Sequence, residues 1–427
     1  MLNLVSVFFC FLHACASPQV IPQESEAITV LLPDRLFDGE ELHTDWGLVL
    51  QGRRIVQVAA HESLSAPADA RVIELQGMTL MPGLIEGHSH LLLHPYDEAS
   101  WNDQVLKESI ALRVARATVH ARETLLAGFT TARDLGSEGA GYADVGIQQA
   151  IAQGIIPGPR LLVSTRAIVA TGSYGPKGFA PHVKPPLGAE AADGADLVRV
   201  VREQIGGGAD WVKVYADYRW GPGREARPTF SLQELTLIVE TAASSGRPTV
   251  AHASTAEGMR RAILAGVKSI EHGDGGTREV FELMVERGVA LCPTLAAGHA
   301  ISQYQGWVPG QDPEPARLLA KRASFRLALE IGVTILSGSD SGVFDHGDNS
   351  IELELMVEYG MAPLAALRAV TSGNADLLGM GDRIGRLKVG LLADIIAVQG
   401  NPFEHMQDLA RVRLVIKDGS DYLLPDA

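Results

Sequence analysis

The chain has 427 residues, 46% hydrophobic and 20% charged, which gives material for a large core and excludes a disordered chain. Its formal net charge is −15, from 36 Lys and Arg against 51 Asp and Glu, with no basic cluster. That balance argues against nucleic acid as a partner, which needs clustered cations, and says little about a small-molecule substrate.

Residues 1–20 read as an export leader. The apolar run ends near Leu12, too short to span a bilayer, and the first charged side chain is Glu24. Ala14-Cys15-Ala16 offers small residues for cleavage at Ala16, so a periplasmic or secreted protein is expected. Leu12-His13-Ala14-Cys15 also loosely resembles a bacterial lipobox, which would place a lipid anchor on Cys15. The three cysteines, Cys10, Cys15 and Cys292, form no disulfide framework, and Cys292 reads as a small core residue. No later segment reads as a membrane span.

Short alternating strands fill residues 25–80, for example 30–32, 46–50 and 54–58, with turns at Asp38-Gly39 and Gly52-Arg53. Residues 385–427 read the same way, with strands at 394–398 and 412–416 and a turn at Lys417-Asp418-Gly419. The two ends are expected to build one small β-sandwich domain.

Residues 81–384 change to strand followed by helix. Eight apolar strands are predicted, at 84–90, 129–135, 160–169, 211–216, 248–252, 269–272, 290–295 and 334–339. Helices at 111–127, 196–204, 232–243, 257–265, 279–286 and 317–331 carry apolar residues at three-and-four spacing. Gly128, Gly266, Gly288 and Gly332 follow them as C-cap candidates. The alternation predicts an α/β fold with a parallel sheet, and eight strands predict a closed (β/α)8 TIM barrel. Pro- and Gly-rich stretches at 172–186 and 220–228 read as long loops over its active face.

Barrel enzymes carry their chemistry at the C-terminal ends of the strands. The first predicted strand ends in His88-Ser89-His90, the fourth holds Lys213, the fifth ends in His252, the sixth in His272 and the eighth in Asp340. Each feature alone has a bland explanation: a His that packs, a Lys that is merely buried, an Asp that caps the next helix. Their convergence on one rim points to a metal site. Lys213 could not stay an ammonium beside dications. Either desolvation keeps it neutral, or carbon dioxide converts it to a carbamate with two ligand oxygens.

At this point the chain resembles the binuclear amidohydrolase superfamily. The matching pieces are Met81-Pro82-Gly83-Leu84-Ile85-Glu86-Gly87-His88-Ser89-His90, Val212-Lys213-Val214, Ala251-His252-Ala253, Glu271-His272-Gly273, Gly338-Ser339-Asp340 and Gly390-Leu391-Leu392-Ala393-Asp394-Ile395. The resemblance implies two divalent metal ions, zinc by the superfamily's habit. His88, His90 and Asp340 would hold the first and His252 and His272 the second, with N6-carboxylysine at Lys213 bridging them. It also implies that Asp340 moves the catalytic proton, and that the protein is a homo-oligomer, up to an octamer.

Within the superfamily the chain looks like the prolidase and carboxypeptidase-like group, which includes ochratoxin-hydrolysing amidase. Phe230 stands where some dipeptidases of the group have Tyr, and Tyr174 stands near a loop position where members often have His. Tyr215, two residues beyond Lys213, is a candidate donor to the developing oxyanion. Tyr174, His182, Tyr218, Arg219 and Arg224 lie on the long loops as candidate substrate contacts, an arginine being suited to a substrate carboxylate. The expected reaction is cleavage of an amide or peptide bond with release of a C-terminal amino acid. Hydrolysis of a cyclic amide, as in imidazolonepropionase-like relatives, is the alternative. A non-catalytic binding barrel is a third reading, but the six expected metal positions are all filled. No Gly-x-Ser-x-Gly elbow supports a nucleophile-type hydrolase.

Overall fold

In this computed structural model, which describes residues 27–180, 182–219 and 225–424, the alternating segments at both chain ends form strands. The expected leader, with Cys10 and Cys15, and the loop residue Arg224 lie outside the described residues. Among the described residues, no helix is long and apolar enough to cross a membrane.

The chain begins with β1 (Ile28–Phe37), β2 (Leu42–Thr44), β3 (Trp46–Gln51), β4 (Arg54–Ala60) and β5 (Arg71–Pro82). The middle adds β6 (Leu84–Ser89), β7 (Phe129–Asp134), β8 (Arg160–Val163), β9 (Ile168–Val169), β10 (Glu190–Ala191) and β11 (Val212–Tyr215). A short hairpin of β12 (Asp217–Arg219) and β13 (Ala226–Pro228) follows, then β14 (Thr249–Ala253), β15 (Ser269–His272) and β16 (Ala290–Cys292). The C-terminal end contributes β17 (Ile395–Gln399), β18 (Val412–Lys417) and β19 (Ser420–Leu423).

Both chain ends join one sheet, in the order β19-β18-β17-β5-β1-β3-β4, with β2 paired to β1. Its edge strand β4 curls back onto the residues before β17, where Ile55 N donates to Leu391 O and Ala393 N to Arg53 O. Side chains alternate between two cores, as a strand period of two requires. Ile395 and Ala397 pack with Leu31, Leu48 and Leu80 inside the curl, while Ile396 and Val398 face the main core with Phe37 and Met81.

The middle of the chain has the expected helix-linked parallel strands, a TIM-barrel-like α/β arrangement. It is not one continuous closed sheet. The strands form a three-stranded sheet, β6-β7-β8, and a six-stranded one, β10-β9-β11-β14-β15-β16. Backbone hydrogen bonds span the gaps between them. Asp210 N and Trp211 N donate to Val163 O on one side. On the other, residues 334–341 run between β16 and β6, bridged at Leu291–Ile335 and Ser89–Ser341.

That second gap corrects the predicted eighth strand, and its cause is local. Asn374 takes over the backbone of Ser337: its Oδ1 accepts from Ser337 N, and its Nδ2 donates to Ser337 O and Ile85 O. At Gly338 the chain presses so close that a Cβ would lie 2.6 Å from Cys292 Sγ and 2.7 Å from His88 N. Asp340 then turns left-handed, at φ 63°. A regular pleat cannot survive those three departures. The predicted third strand also breaks, into β8 and β9, around left-handed Thr165, and Leu295 opens the helix Leu295–Tyr304 rather than ending a strand.

Asn374 is therefore a side-chain staple between β6 and residues 334–341. Asn374→Ala leaves buried backbone groups unpaired and should cost about 2–4 kcal/mol, read as a lower unfolding midpoint in heat or urea. An unchanged midpoint would show that the staple is dispensable.

Candidate metal centre

A strand's period of two puts Glu86, His88 and His90 on one side of the β6 line, facing the interior. His88 and His90 are buried, with Nε2 atoms 3.5 and 3.3 Å from Asp340 Oδ1. His272 ends β15, and its ring centroid lies 5.3 Å from that of His88. Ligand atoms of His88, His272 and Asp340 fall within 4.8 Å of one another, the spacing of groups that could hold a metal ion. His252, at the end of β14, has its ring 4.5 Å from His272 and stacks on Tyr215, also at 4.5 Å. Lys213 is buried on β11, in register with Val250 of β14, and its Nζ lies 5.7 Å from the Tyr215 ring centroid. The structure thus brings His88, His90, Lys213, His252, His272 and Asp340 to one mouth.

The imidazoles are wired as metal ligands are wired. His88 Nδ1 is 2.7 Å from Glu271 Oε2, His90 Nδ1 is 3.0 Å from Gly136 O, and His272 Nδ1 is 2.8 Å from Thr294 Oγ1. With Nδ1 committed behind each ring, Nε2 is left facing the site, and a protonated Nδ1 fixes the tautomer a cation needs. Burial, then the Lys213 charge, pulls His88 down to about 4 and His252 to about 3. Burial, then neighbouring imidazoles, holds His272 well below its usual value. These rings stay neutral, as a ligand must. His90 behaves differently: burial opposes its charge, but Asp340 overrides that and raises it to about 9. The donor set, three neutral imidazoles with His90 and a carboxylate, fits a divalent cation, which would take the place of the proton that Asp340 holds on His90.

Sequence reasoning missed the layer beneath. Glu271 also accepts from Arg133 Nη2 at 3.2 Å and Ser269 Oγ at 2.6 Å. Glu86 accepts from His88 N, from Ser339 N and Oγ, and from Asn349 Nδ2. Burial pushes Glu86 up to about 7, against those four donors. Its place two residues before His88 was a readable signal, since both share a face.

Above the ligands opens a cavity of about 520 Å³. The candidate contacts Tyr174, Tyr215, Tyr218 and Arg219 all line it. His182 is exposed and does not. Glu138, Tyr96, Asp274, Arg317 and Lys321 line it too and had no sequence signal: loops bring in the first three, and the start of the helix Ala316–Ile331 brings in the two cations.

The pattern of the amidohydrolase family matches residues 79–420, a span holding every one of these groups. The chain belongs to the amidohydrolase family. This amidohydrolase is a hydrolase acting on carbon–nitrogen bonds, in a family whose members generally bind metal ions. It is 32% identical to ochratoxinase of Aspergillus niger over 430 residues, covering 91% of this chain and 85% of that one. The solved ochratoxinase structure superposes with a TM-score of 0.79 at 29% identity, covering 94% of this chain and 97% of that one. A Xaa-Pro dipeptidase with methionine bound in its active site superposes with a TM-score of 0.84 at 31% identity, covering 93% and 100%.

Thr294 touches no ligand atom facing the site, yet it orients His272. Thr294→Ala should weaken metal affinity about tenfold in a chelator competition, with little loss of thermal stability. Wild-type affinity in that variant would rule out the orienting role.

Proposed function

We propose that this chain is a binuclear metal-dependent amidohydrolase that cleaves an amide or peptide bond and releases a C-terminal amino acid. The observation that carries the reading is the committed Nδ1 atoms of His88, His90 and His272, which leave Nε2 atoms around Asp340. His88, His90 and Asp340 would hold one zinc ion, and His252 and His272 the other. We read residues 81–384 as a (β/α)8 barrel whose eighth stave is the bridged segment 334–341, with residues 25–80 and 385–427 as its companion β-domain.

Lys213 would serve as N6-carboxylysine between the ions. Burial lowers the pKa of its ammonium, which favours the neutral amine. The Nζ lone pair adds to carbon dioxide, a nitrogen–carbon bond forms, and one proton leaves to solvent. When bound, the two metals supply an acidified water and a polarised carbonyl. Asp340 takes the proton of the attacking water and returns it to the leaving nitrogen. Tyr215, two residues beyond Lys213 on the same strand, would donate to the developing oxyanion. Likeness to a Xaa-Pro dipeptidase holding methionine supports an amino acid as the product.

Elemental analysis of active enzyme should find two divalent ions per chain, and a screen should show amino-acid release from dipeptides or N-acyl amino acids. Turnover of cyclic amides alone, or active enzyme without metal, would overturn this reading. Asp340→Asn should lower kcat by about 10³-fold while the unfolding midpoint holds. Near-normal turnover would remove Asp340 from its role. Bicarbonate should speed recovery of activity when zinc is returned to stripped enzyme; indifference to it would argue against carboxylation of Lys213.

A further inference from the structure

The cavity wall contains a buried carboxylate oxygen with nothing to bond. Glu138 follows β7 in a Gly-rich loop, with its backbone left-handed at φ 46° and only 2% of its surface exposed. Its Oε2 accepts from Trp101 Nε1 at 2.9 Å and from the Tyr174 hydroxyl at 2.7 Å. Its Oε1 is buried and has no hydrogen-bond partner among the described residues. The loop is fixed from behind: Arg113 spends its donors on the backbone oxygens of Glu138, Ser137 and Leu92, not on the carboxylate.

The wall's other carboxylates, buried Asp217 and half-buried Asp274, are already engaged. Asp217 accepts from Ser254 N, Thr255 N and Thr255 Oγ1. Asp274 pairs with Lys321 at 2.5 Å. His90 stands near Glu138 Oε1. A Cβ on Gly136 would lie 3.1 Å from it and 3.5 Å from His90 Cε1, so both border one gap. Tyr96, Tyr174 and Tyr218 line the same cavity, with the Tyr174 and Tyr218 rings 4.9 Å apart.

A buried carboxylate oxygen left unpaired is costly, and native structures rarely keep one without a use. A carboxylate set among aromatic faces suits an organic cation, which bonds the oxygen and lies against the rings. We propose that Glu138 is a cation subsite that binds a protonated amine of the substrate beside the scissile bond. The turnover arm of its test rests on the hydrolase reading above; the binding arm does not. The amine is either the free α-amine of a dipeptide or a side-chain ammonium, and the substrates below separate the two.

Zinc-loaded wild type and Glu138→Gln are compared on Ala-Phe, N-acetyl-Ala-Phe and Nα-acetyl-Lys-Phe. Glutamine keeps one oxygen for Trp101 and Tyr174 but turns the other atom into a donor. Wild type should favour at least one cationic substrate over the neutral one by about tenfold or more in kcat/KM, and Glu138→Gln should erase that ratio. Equal rates on all three in wild type, or a preference that survives the substitution, would overturn the proposal. Calorimetry with phenethylamine and 2-phenylethanol reads the subsite without turnover. Wild type should bind the amine more tightly, and the variant should lose that margin. Equal affinities, or no amine binding to wild type, would also overturn it. Should no substrate be cleaved while amine binding still depends on Glu138, the reading of dipeptides and N-acyl amino acids as substrates fails and the subsite stands.

Discussion

Arg133 is fully buried in the middle of the parallel strands, and the base of the site is organised by what satisfies it. From β7 it donates to Gly87 O on β6 and to Ser269 Oγ and Glu271 Oε1 on β15, and its guanidinium lies 4.7 Å from the centroid of the Trp211 ring. A charge so placed is severely penalised unless paired and hydrogen-bonded. Glu271 meets that need and is itself changed by it. Burial pushes its carboxyl up, but Arg133 and His88 hold it well below the usual carboxylate range. The resulting anion fixes the proton of His88 on Nδ1. An ion pair of this kind adds little net stability; its effect is to orient His88.

Backbone strain supplies the rest of the orientation. Five non-glycine residues around the mouth are left-handed: Glu138, Thr165, His272, Thr294 and Asp340. Such conformations cost about 1–3 kcal/mol each and persist where the surroundings dictate them. The gain is visible at Glu271-His272. A regular strand would send these neighbours to opposite faces. The turn at His272 lets Glu271 point below the site while His272 joins its rim. Ser339 and Asp340 repeat the device, Ser339 bonding Glu86 below and Asp340 facing His88 and His90 above.

This explains what the sequence made legible. His88, His90, His252 and His272 stand at or beside strand ends, Lys213 within a strand and Asp340 after an apolar run, and such positions are readable from apolar runs. The parallel strands were readable for the same reason, except where left-handed Thr165 breaks the third, where Leu295 opens a helix, and at residues 334–341, where a distant side chain, Asn374, replaces the ladder that an apolar run would predict. Arg133 and Glu271 were hidden, because nothing local distinguishes a charged residue that crosses the interior from one that faces water. Glu138 was hidden more deeply. Its partners Trp101 and Tyr174 lie 37 and 36 residues away, and only the folded loops reveal that its second oxygen is unpaired.

The division between floor and wall has a consequence for selectivity. The floor is set by strands, strain and buried ion pairs, so a change there disturbs the ligands themselves. The wall is set by loops after β7, β9 and β11, which can change without moving His88 or Asp340. The wall's charges also differ in weight. Arg219 and Arg317 are exposed where they line the cavity, so water and salt screen what they attract. Glu138 is buried, and a charge that meets it meets it without screening. Exposed guanidinium groups can draw in an acidic substrate, but discrimination requires a partner that cannot be replaced by water. On that physical ground the proposed subsite at the buried carboxylate would weigh more in substrate choice than the arginines at the rim.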